Sequence, residues 1–193
     1  VCLIGWMAED IRYQGAGSSH INPLQLPQLK DVMNMPYYAC CNKEGNVTEE
    51  SLKQAIDLAS KHKAAVVVAG LPDLYESEGF DRDHLRMPEG HVKMIEAVAS
   101  VNPNTVVVLL GGSAMEVPWE NKVKGILYMG LPGQAGAEAI VRLLKGDVNP
   151  SGKLAETWPM TYDDVISKNT FGKKNTEYRE GIYVGYRYYD KAN

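Results

Sequence analysis

The sequence predicts an α/β protein built on a mostly parallel sheet. Short apolar runs rich in β-branched residues recur along the chain, and segments with helical periodicity separate them. Because strands buried on both faces are almost continuously apolar, we expect helices to cover each side of the sheet. The predicted fold is a three-layer sandwich of about five to six strands, with an edge strand at the C-terminus. The length of 193 residues suits one domain.

The predicted strands are of two kinds. Residues 64–70 (AAVVVAG) and 105–112 (TVVVLLGG) have the composition of strands buried on both faces. Residues 182–190 (IYVGYRYYD) are dense in tyrosine and β-branched residues, which favours an edge strand. The other predicted strands are 1–5 (VCLIG), 36–41 (PYYACC) and 124–130 (KGILYMG).

Four segments between these runs carry helix signals. The clearest follows Thr48, a preferred N-cap residue, with acids in its first turn and lysines in its last. Another ends at Gly146, a typical C-terminal residue. The earliest has Asn22 as a cap and Pro23 at the first helical position. The predicted helices lie within 22–33, 48–63, 89–103 and 133–146.

Composition narrows the class of partner. The net charge of −4 and the isoelectric point near 5.6 argue against nucleic acid or an anionic membrane. Cys2, Cys40 and Cys41 lack the spacing of a zinc site, so we expect buried reduced thiols, no metal, no cofactor and a cytoplasmic location. Because the sequence starts inside an apolar run, we expect a fragment of a longer polypeptide.

A cluster of charge follows the predicted strand 64–70. Glu76, Glu78, Asp81 and Arg82 lie within the segment YESEGFDR. One interpretation is a solvated loop with a local ion pair to Arg82. The other is a general acid/base carboxyl, since ligands of open α/β sheets bind at the carboxyl ends of strands. Ionising one glutamate should disfavour ionising the other, which predicts a raised pKa.

The segment QGAGSS, residues 14–19, raises a different hypothesis. Gly15 and Gly17 resemble part of a dinucleotide-binding fingerprint, but position 20 is His20 and the motif comes well after the strand. A nucleotide site is therefore not favoured. We expect a loop that packs on a neighbouring domain or lines a crevice.

Five segments in consistent order cover nearly the whole chain. They are 12–23 (RYQGAGSSHINP), 75–82 (YESEGFDR), 85–119, 131–159 and 178–190 (YREGIYVGYRYYD). Together they resemble the C-terminal α/β sandwich domain of family 3 glycoside hydrolases of the β-glucosidase type. The resemblance implies that residues 1–193 form one α/β sandwich domain of a retaining glycosidase. An N-terminal β/α barrel would supply the aspartate nucleophile, and a C-terminal β-sandwich domain can follow.

The resemblance also implies roles for individual residues. Glu78 would be the general acid/base, with Glu76 as the alternative, and the substrate would be a β-linked glucoside or oligosaccharide. The nucleophile motif is absent, so the fragment alone is expected to be inactive. An alternative is a stand-alone carbohydrate-binding or regulatory module. Residues expected to line the crevice or support its loops are Asp81, Arg82, Arg12 and Gln14.

Overall fold

A computed structural model describes residues 1–79 and 81–192. Its five-stranded sheet is entirely parallel and has the order β2-β1-β3-β4-β5. The predicted parallel sheet is therefore confirmed. The strands are β1 (Cys2–Ile4), β2 (Tyr37–Tyr38), β3 (Ala65–Gly70), β4 (Thr105–Leu110) and β5 (Gly125–Gly130).

The centre of the sheet is the most regular part. β3 and β4 pair without interruption from Ala65 opposite Thr105 to Gly70 opposite Leu110. All six residues of β3 are buried, as the continuous apolar run predicts. β2 is much shorter than its predicted run, with only two residues in the ladder.

Helices cover both faces of the sheet, which confirms the three-layer sandwich. One face carries the contact between α1 (Leu29–Met33) and α4 (Gly136–Lys145), and the other carries α2 (Glu49–Ser60) against α3 (Glu89–Val101). Neighbouring strand residues alternate between the two cores, because successive side chains point to opposite faces. Val67 packs with α2 and α3, whereas Val68 packs with α1 and α4. A fifth helix, α5, spans Tyr186–Ala192.

Local capping signals decide two helix ends as predicted. The Thr48 hydroxyl accepts a bond of 3.1 Å from the Ser51 N–H, and the Ser51 hydroxyl accepts one of 2.9 Å from the Thr48 N–H. Gly146 follows α4 in the left-handed conformation. The predicted start of the first helix at Asn22 is wrong, since α1 begins at Leu29. Pro27 explains this, because the residue before a proline disfavours the helical conformation.

The predicted C-terminal edge strand is wrong. No strand is described within residues 182–190, and helix α5 begins at Tyr186 instead. Gly181 and Gly185 adopt positive φ angles of 57° and 61°, which turn the chain where an extended strand would continue. Tyrosine and valine favour strands only where a sheet edge is available to pair with.

The cysteines are free and buried, as predicted. Within residues 1–79 and 81–192, no cluster of histidine, cysteine and acidic side chains could hold a metal ion. Across the same residues, each helix is too short or too polar to cross a membrane.

Candidate active site

The order of the strands creates a crevice at one edge of the sheet. From β1 the chain crosses to β2 on one side, and β3 lies on the other side of β1. The loops at 5–28 and 71–88 therefore leave neighbouring strands in opposite directions. Ligands of open α/β sheets bind at such a switch point, beyond the carboxyl ends of the strands. Both segments singled out in the sequence, QGAGSS and YESEGFDR, belong to these two loops.

Arg12 links the two loops. Its side chain is 6% exposed, and its Nε donates to Asp73 Oδ1 over 3.1 Å. Its Nη1 donates to the Leu71 carbonyl oxygen over 2.6 Å and also to the Glu76 carboxylate. The guanidinium therefore fixes the start of the loop that follows β3, through backbone and side chain together.

The Glu76 carboxylate connects the loop after β4 to the two loops that Arg12 links. It accepts a hydrogen bond of 2.8 Å from the Gly112 N–H and another from the Ser113 hydroxyl, both beyond β4. Burial alone raises the pKa of Glu76, but the bonds from Gly112, Ser113 and Arg12 outweigh it and hold this pKa below its ordinary value. Glu76 is therefore an ionised anchor. We call the connected residues Arg12, Asp73, Glu76, Gly112 and Ser113 the Arg12–Glu76 network.

Glu78 lies in different surroundings, at the exposed tip of the same loop. Its Oε2 accepts bonds of 2.9 Å from the Ser18 N–H and 2.5 Å from the Ser18 hydroxyl. These bonds lower the pKa of Glu78. The predicted raising of a pKa by mutual repulsion is thus wrong for both glutamates, because each carboxylate accepts hydrogen bonds from a different loop.

The remaining predicted site residues fall into separate positions. Arg82 donates from Nη1 to the Ser113 hydroxyl over 2.8 Å and to the Ala114 carbonyl oxygen over 3.1 Å, so it contacts the β4 loop. Asp81 is exposed at the rim. Gln14 closes its own loop, since its amide exchanges two bonds of 2.9 Å with the Ile21 backbone.

An open cavity of about 1260 Å³ lies beside the network. Glu76, Asp81 and Arg82 line one side, and the C-terminal segment after residue 153 lines much of the rest. This contribution was not predicted from the sequence, although the aromatic residues of the C-terminal segment were a usable signal. Ser18 was likewise not predicted as the partner of Glu78. The aromatic residues that line the cavity are Tyr75, Trp158, Tyr162, Phe171, Tyr186 and Tyr189.

This chain is similar in sequence to part of several proteins that are named as glycosidases. The chain is 47% identical to thermostable beta-glucosidase B of Acetivibrio thermocellus, over 98% of this chain and 27% of that protein. It is 39% identical to an exo-alpha-(1->6)-L-arabinopyranosidase of Bifidobacterium breve, over 98% of this chain and 26% of that protein.

Solved structures agree with the sequence comparison. The GH3 beta-glucosidase of Bifidobacterium adolescentis superposes with a TM-score of 0.90 at 37% identity, over 99% of this chain and 29% of that one. The chain therefore spans less than a third of the length of each of these relatives. The family model described as the glycosyl hydrolase family 3 C-terminal domain matches residues 1–186, and the chain belongs to this family.

Proposed function

We propose that this chain is the acid/base domain of a retaining β-glucosidase-like glycoside hydrolase, with Glu78 as the general acid/base. One observation carries the choice of residue. Glu76 is held as a carboxylate by three donors, whereas Glu78 is exposed at the loop tip. A general acid must reach the leaving oxygen of a bound sugar, and the exposure of Glu78 supports this role, whereas Glu76 lines the open cavity as an ionised anchor.

The reaction requires a second carboxyl group. Retaining glycosidases use two carboxyl groups about 5–5.5 Å apart, one as nucleophile and one as acid/base. Glu78 would protonate the departing oxygen and then take a proton from the water that releases the sugar. The nucleophile would come from a barrel domain of a longer polypeptide, and the greater length of the relatives supports that arrangement.

The low pKa of Glu78 is compatible with this role only if the second domain changes its surroundings. A general acid must be protonated at the start of the reaction. Burial of Glu78 against the barrel and the nearby nucleophile carboxylate would both raise its pKa, because each disfavours the ionised form. We therefore propose that domain assembly converts a surface carboxylate into an acid.

The sugar would be chosen mainly by the barrel. One relative is named a beta-glucosidase and another an arabinopyranosidase, although both match this chain over 98% of its length. A β-linked glucoside or short oligosaccharide is the proposed substrate class.

The decisive experiment compares Glu78→Gln with Glu76→Gln in the longer polypeptide. Aryl glucosides with good and poor leaving groups are assayed side by side. Glu78→Gln should lose about 10²–10⁴-fold in kcat/KM on poor leaving groups and much less on activated ones, because activated groups need little protonation. Glu76→Gln should show no such selectivity. The reverse pattern would identify Glu76 as the acid and overturn the assignment.

A second experiment tests whether this chain needs its partner domain. Removing a nucleophile from a catalytic unit costs several powers of ten in rate, so the purified 193-residue chain should not hydrolyse aryl glucosides. Turnover by this chain would contradict the proposal. Tight binding of glucose by the chain alone would instead indicate a stand-alone carbohydrate-binding module.

A further inference from the structure

We infer that the turn at residues 15–19 is a cradle for the acid/base carboxyl, with Ser18 as a positioning residue that assigns different tasks to the two oxygens of Glu78. We call these residues the Ser18 turn. The inference rests on the proposed function of Glu78. It gives a role to the segment QGAGSS, whose glycines resemble a nucleotide motif without completing one.

Both donors of Ser18 converge on a single oxygen. The backbone N–H and the hydroxyl of Ser18 reach Glu78 Oε2 at 2.9 Å and 2.5 Å. Among residues 1–79 and 81–192, Oε1 of Glu78 has no hydrogen-bond partner. A carboxyl group held by one oxygen keeps the other oriented away from its holder. Ser18 therefore fixes which oxygen of Glu78 faces outward.

Gly17 shows that the turn and Glu78 are fitted closely together. Gly17 has a positive φ of 87°, and a Cβ built there would lie 2.8 Å from the Cβ of Glu78 and 2.9 Å from its Oε2. Real Cβ atoms do not approach other heavy atoms so closely. A side chain at position 17 would displace Glu78 from Ser18, so glycine is required for the contact.

The turn is also braced independently of Glu78. The Gln14 amide exchanges two bonds with the Ile21 backbone, and the His20 N–H donates to the Gly17 carbonyl oxygen over 3.2 Å. None of these bonds involves Glu78. The conformation of the turn, and with it the position of Ser18, is therefore stabilised independently of Glu78.

This geometry assigns the proton to Oε1 in both halves of the proposed reaction. In the first half, the O–H bond at Oε1 breaks as the proton passes to the glycosidic oxygen, the bond between that oxygen and the sugar breaks, and the nucleophile carboxylate of the second domain bonds to the sugar. In the second half, Oε1 takes a proton from the water whose oxygen bonds to the sugar and displaces the nucleophile. Oε2 accepts from Ser18 throughout, and this bond is strongest when Glu78 is ionised.

The electrostatic effect of the turn comes from Ser18 alone. The bonds from the Ser18 hydroxyl and N–H are the causes that lower the pKa of Glu78, with slight opposition from desolvation. Of the charged or titratable side chains nearby, neither His20, which follows the turn, nor Asp81 and Arg82, which lie in the loop after β3, contributes to the shift in the pKa of Glu78.

The test compares Ser18→Ala with Ser18→Thr and with the control Ser100→Ala in the longer polypeptide. Maximal kcat/KM values from full pH profiles are compared for good and poor leaving groups. Ser18→Ala should lose roughly tenfold on poor leaving groups, since a hydrogen bond to a charged group is lost, and little on activated ones. The basic limb of its pH profile of kcat/KM should move to higher pH, because the bond from the Ser18 hydroxyl lowers the pKa of Glu78. Ser18→Thr keeps a hydroxyl and should restore both values, and Ser100→Ala, at an exposed serine of α3, should resemble the parent.

The outcomes separate this inference from the proposed function. If Glu78→Gln shows no leaving-group selectivity, the proposed function fails. If Glu78→Gln is selective but Ser18→Ala matches the parent in both readouts, only the role of Ser18 fails.

A second measurement needs no catalysis. Carbon-13 NMR of the Glu78 carboxyl in the 193-residue chain should show a titration midpoint at higher pH in Ser18→Ala than in the parent. An unchanged midpoint would overturn the electrostatic part of the inference.

Discussion

Glu76 and Glu78 lie two residues apart in one loop, yet they differ in exposure and in the loops that they contact. The Glu76 side chain is 12% exposed and accepts hydrogen bonds from residues in the loops after β1 and β4. Glu78 is exposed and is held by one serine. The base of the loop is therefore fixed by the sheet, and its tip is attached to a surface turn. A loop fixed at its base, with an exposed carboxyl at its tip, is consistent with the acid/base role that we propose for Glu78.

The backbone explains how adjacent carboxylates diverge. In an extended strand, residues two apart point to the same side. Here a turn begins at Glu78 and Gly79, and Gly79 adopts a positive φ of 96°. The backbone at Glu76 also departs from a regular strand, with φ −141° and ψ 75°, and the two side chains reach different loops, Ser113 for Glu76 and Ser18 for Glu78.

The largest effect on stability is expected from removing Arg12, which holds the base of the loop at 71–88. Arg12→Met should lower the free energy of unfolding by about 3 kcal/mol, because it removes the charged donor to the largely buried Glu76 carboxylate and the donor to the Leu71 carbonyl. Denaturant unfolding measures this loss. Lys61→Met is the control, since its ion pair with Asp57 joins side chains 65% and 63% exposed and should be worth less than about 1 kcal/mol. Equal losses in the two variants would show that the network does not anchor the loop.

The pH dependence of stability should distinguish Glu76 from an ordinary surface carboxylate. Its folded pKa lies below the unfolded value of about 4.3, so its contribution is complete above that pH and is lost as pH falls through the folded pKa. Glu76→Gln should cost about 1–3 kcal/mol at pH 7 and progressively less in acid.

Unfolding curves between pH 7 and pH 3 provide the measurement. The exposed Glu44→Gln variant should stay within about 0.5 kcal/mol of the parent throughout. A constant offset between Glu76→Gln and the parent, without convergence in acid, would contradict the linkage.

The smallest effect is expected at the tip. Gly79→Ala should cost about 1 kcal/mol, because alanine disfavours a positive φ, although a Cβ there would meet no atom within 4 Å. Gly152→Ala is the matched control, since that position also has open space but no positive φ, and it should be neutral. In the longer polypeptide, the leaving-group selectivity of Gly79→Ala would report whether the tip must bend. Unfolding data that show no difference between the two glycine variants would mean that the turn adapts freely.

Prediction from the sequence succeeded where the deciding interactions are local or strongly patterned. The run 64–70 indicates a strand buried on both faces, and Thr48 and Gly146 mark helix ends through contacts with their own neighbours. The prediction of a strand at 182–190 failed because a strand also needs a sheet edge to pair with. The position of the loop at 71–88, which carries Glu76 and Glu78, was predictable, since loops at the carboxyl ends of parallel strands gather at one edge.

The sequence by itself determined the α/β alternation, the central strands and the loop that carries the two glutamates, because each depends on the composition of a short segment. Only the tertiary structure decided which glutamate is anchored and which is exposed. That outcome depends on the order β1-β3-β4, which brings Arg12, Gly112 and Ser113 to Glu76 from strands on either side of its own. The contacts of Glu76 join residues 36 to 64 positions apart in the sequence and arise from strand pairing. They cannot be predicted from the pattern of a short segment.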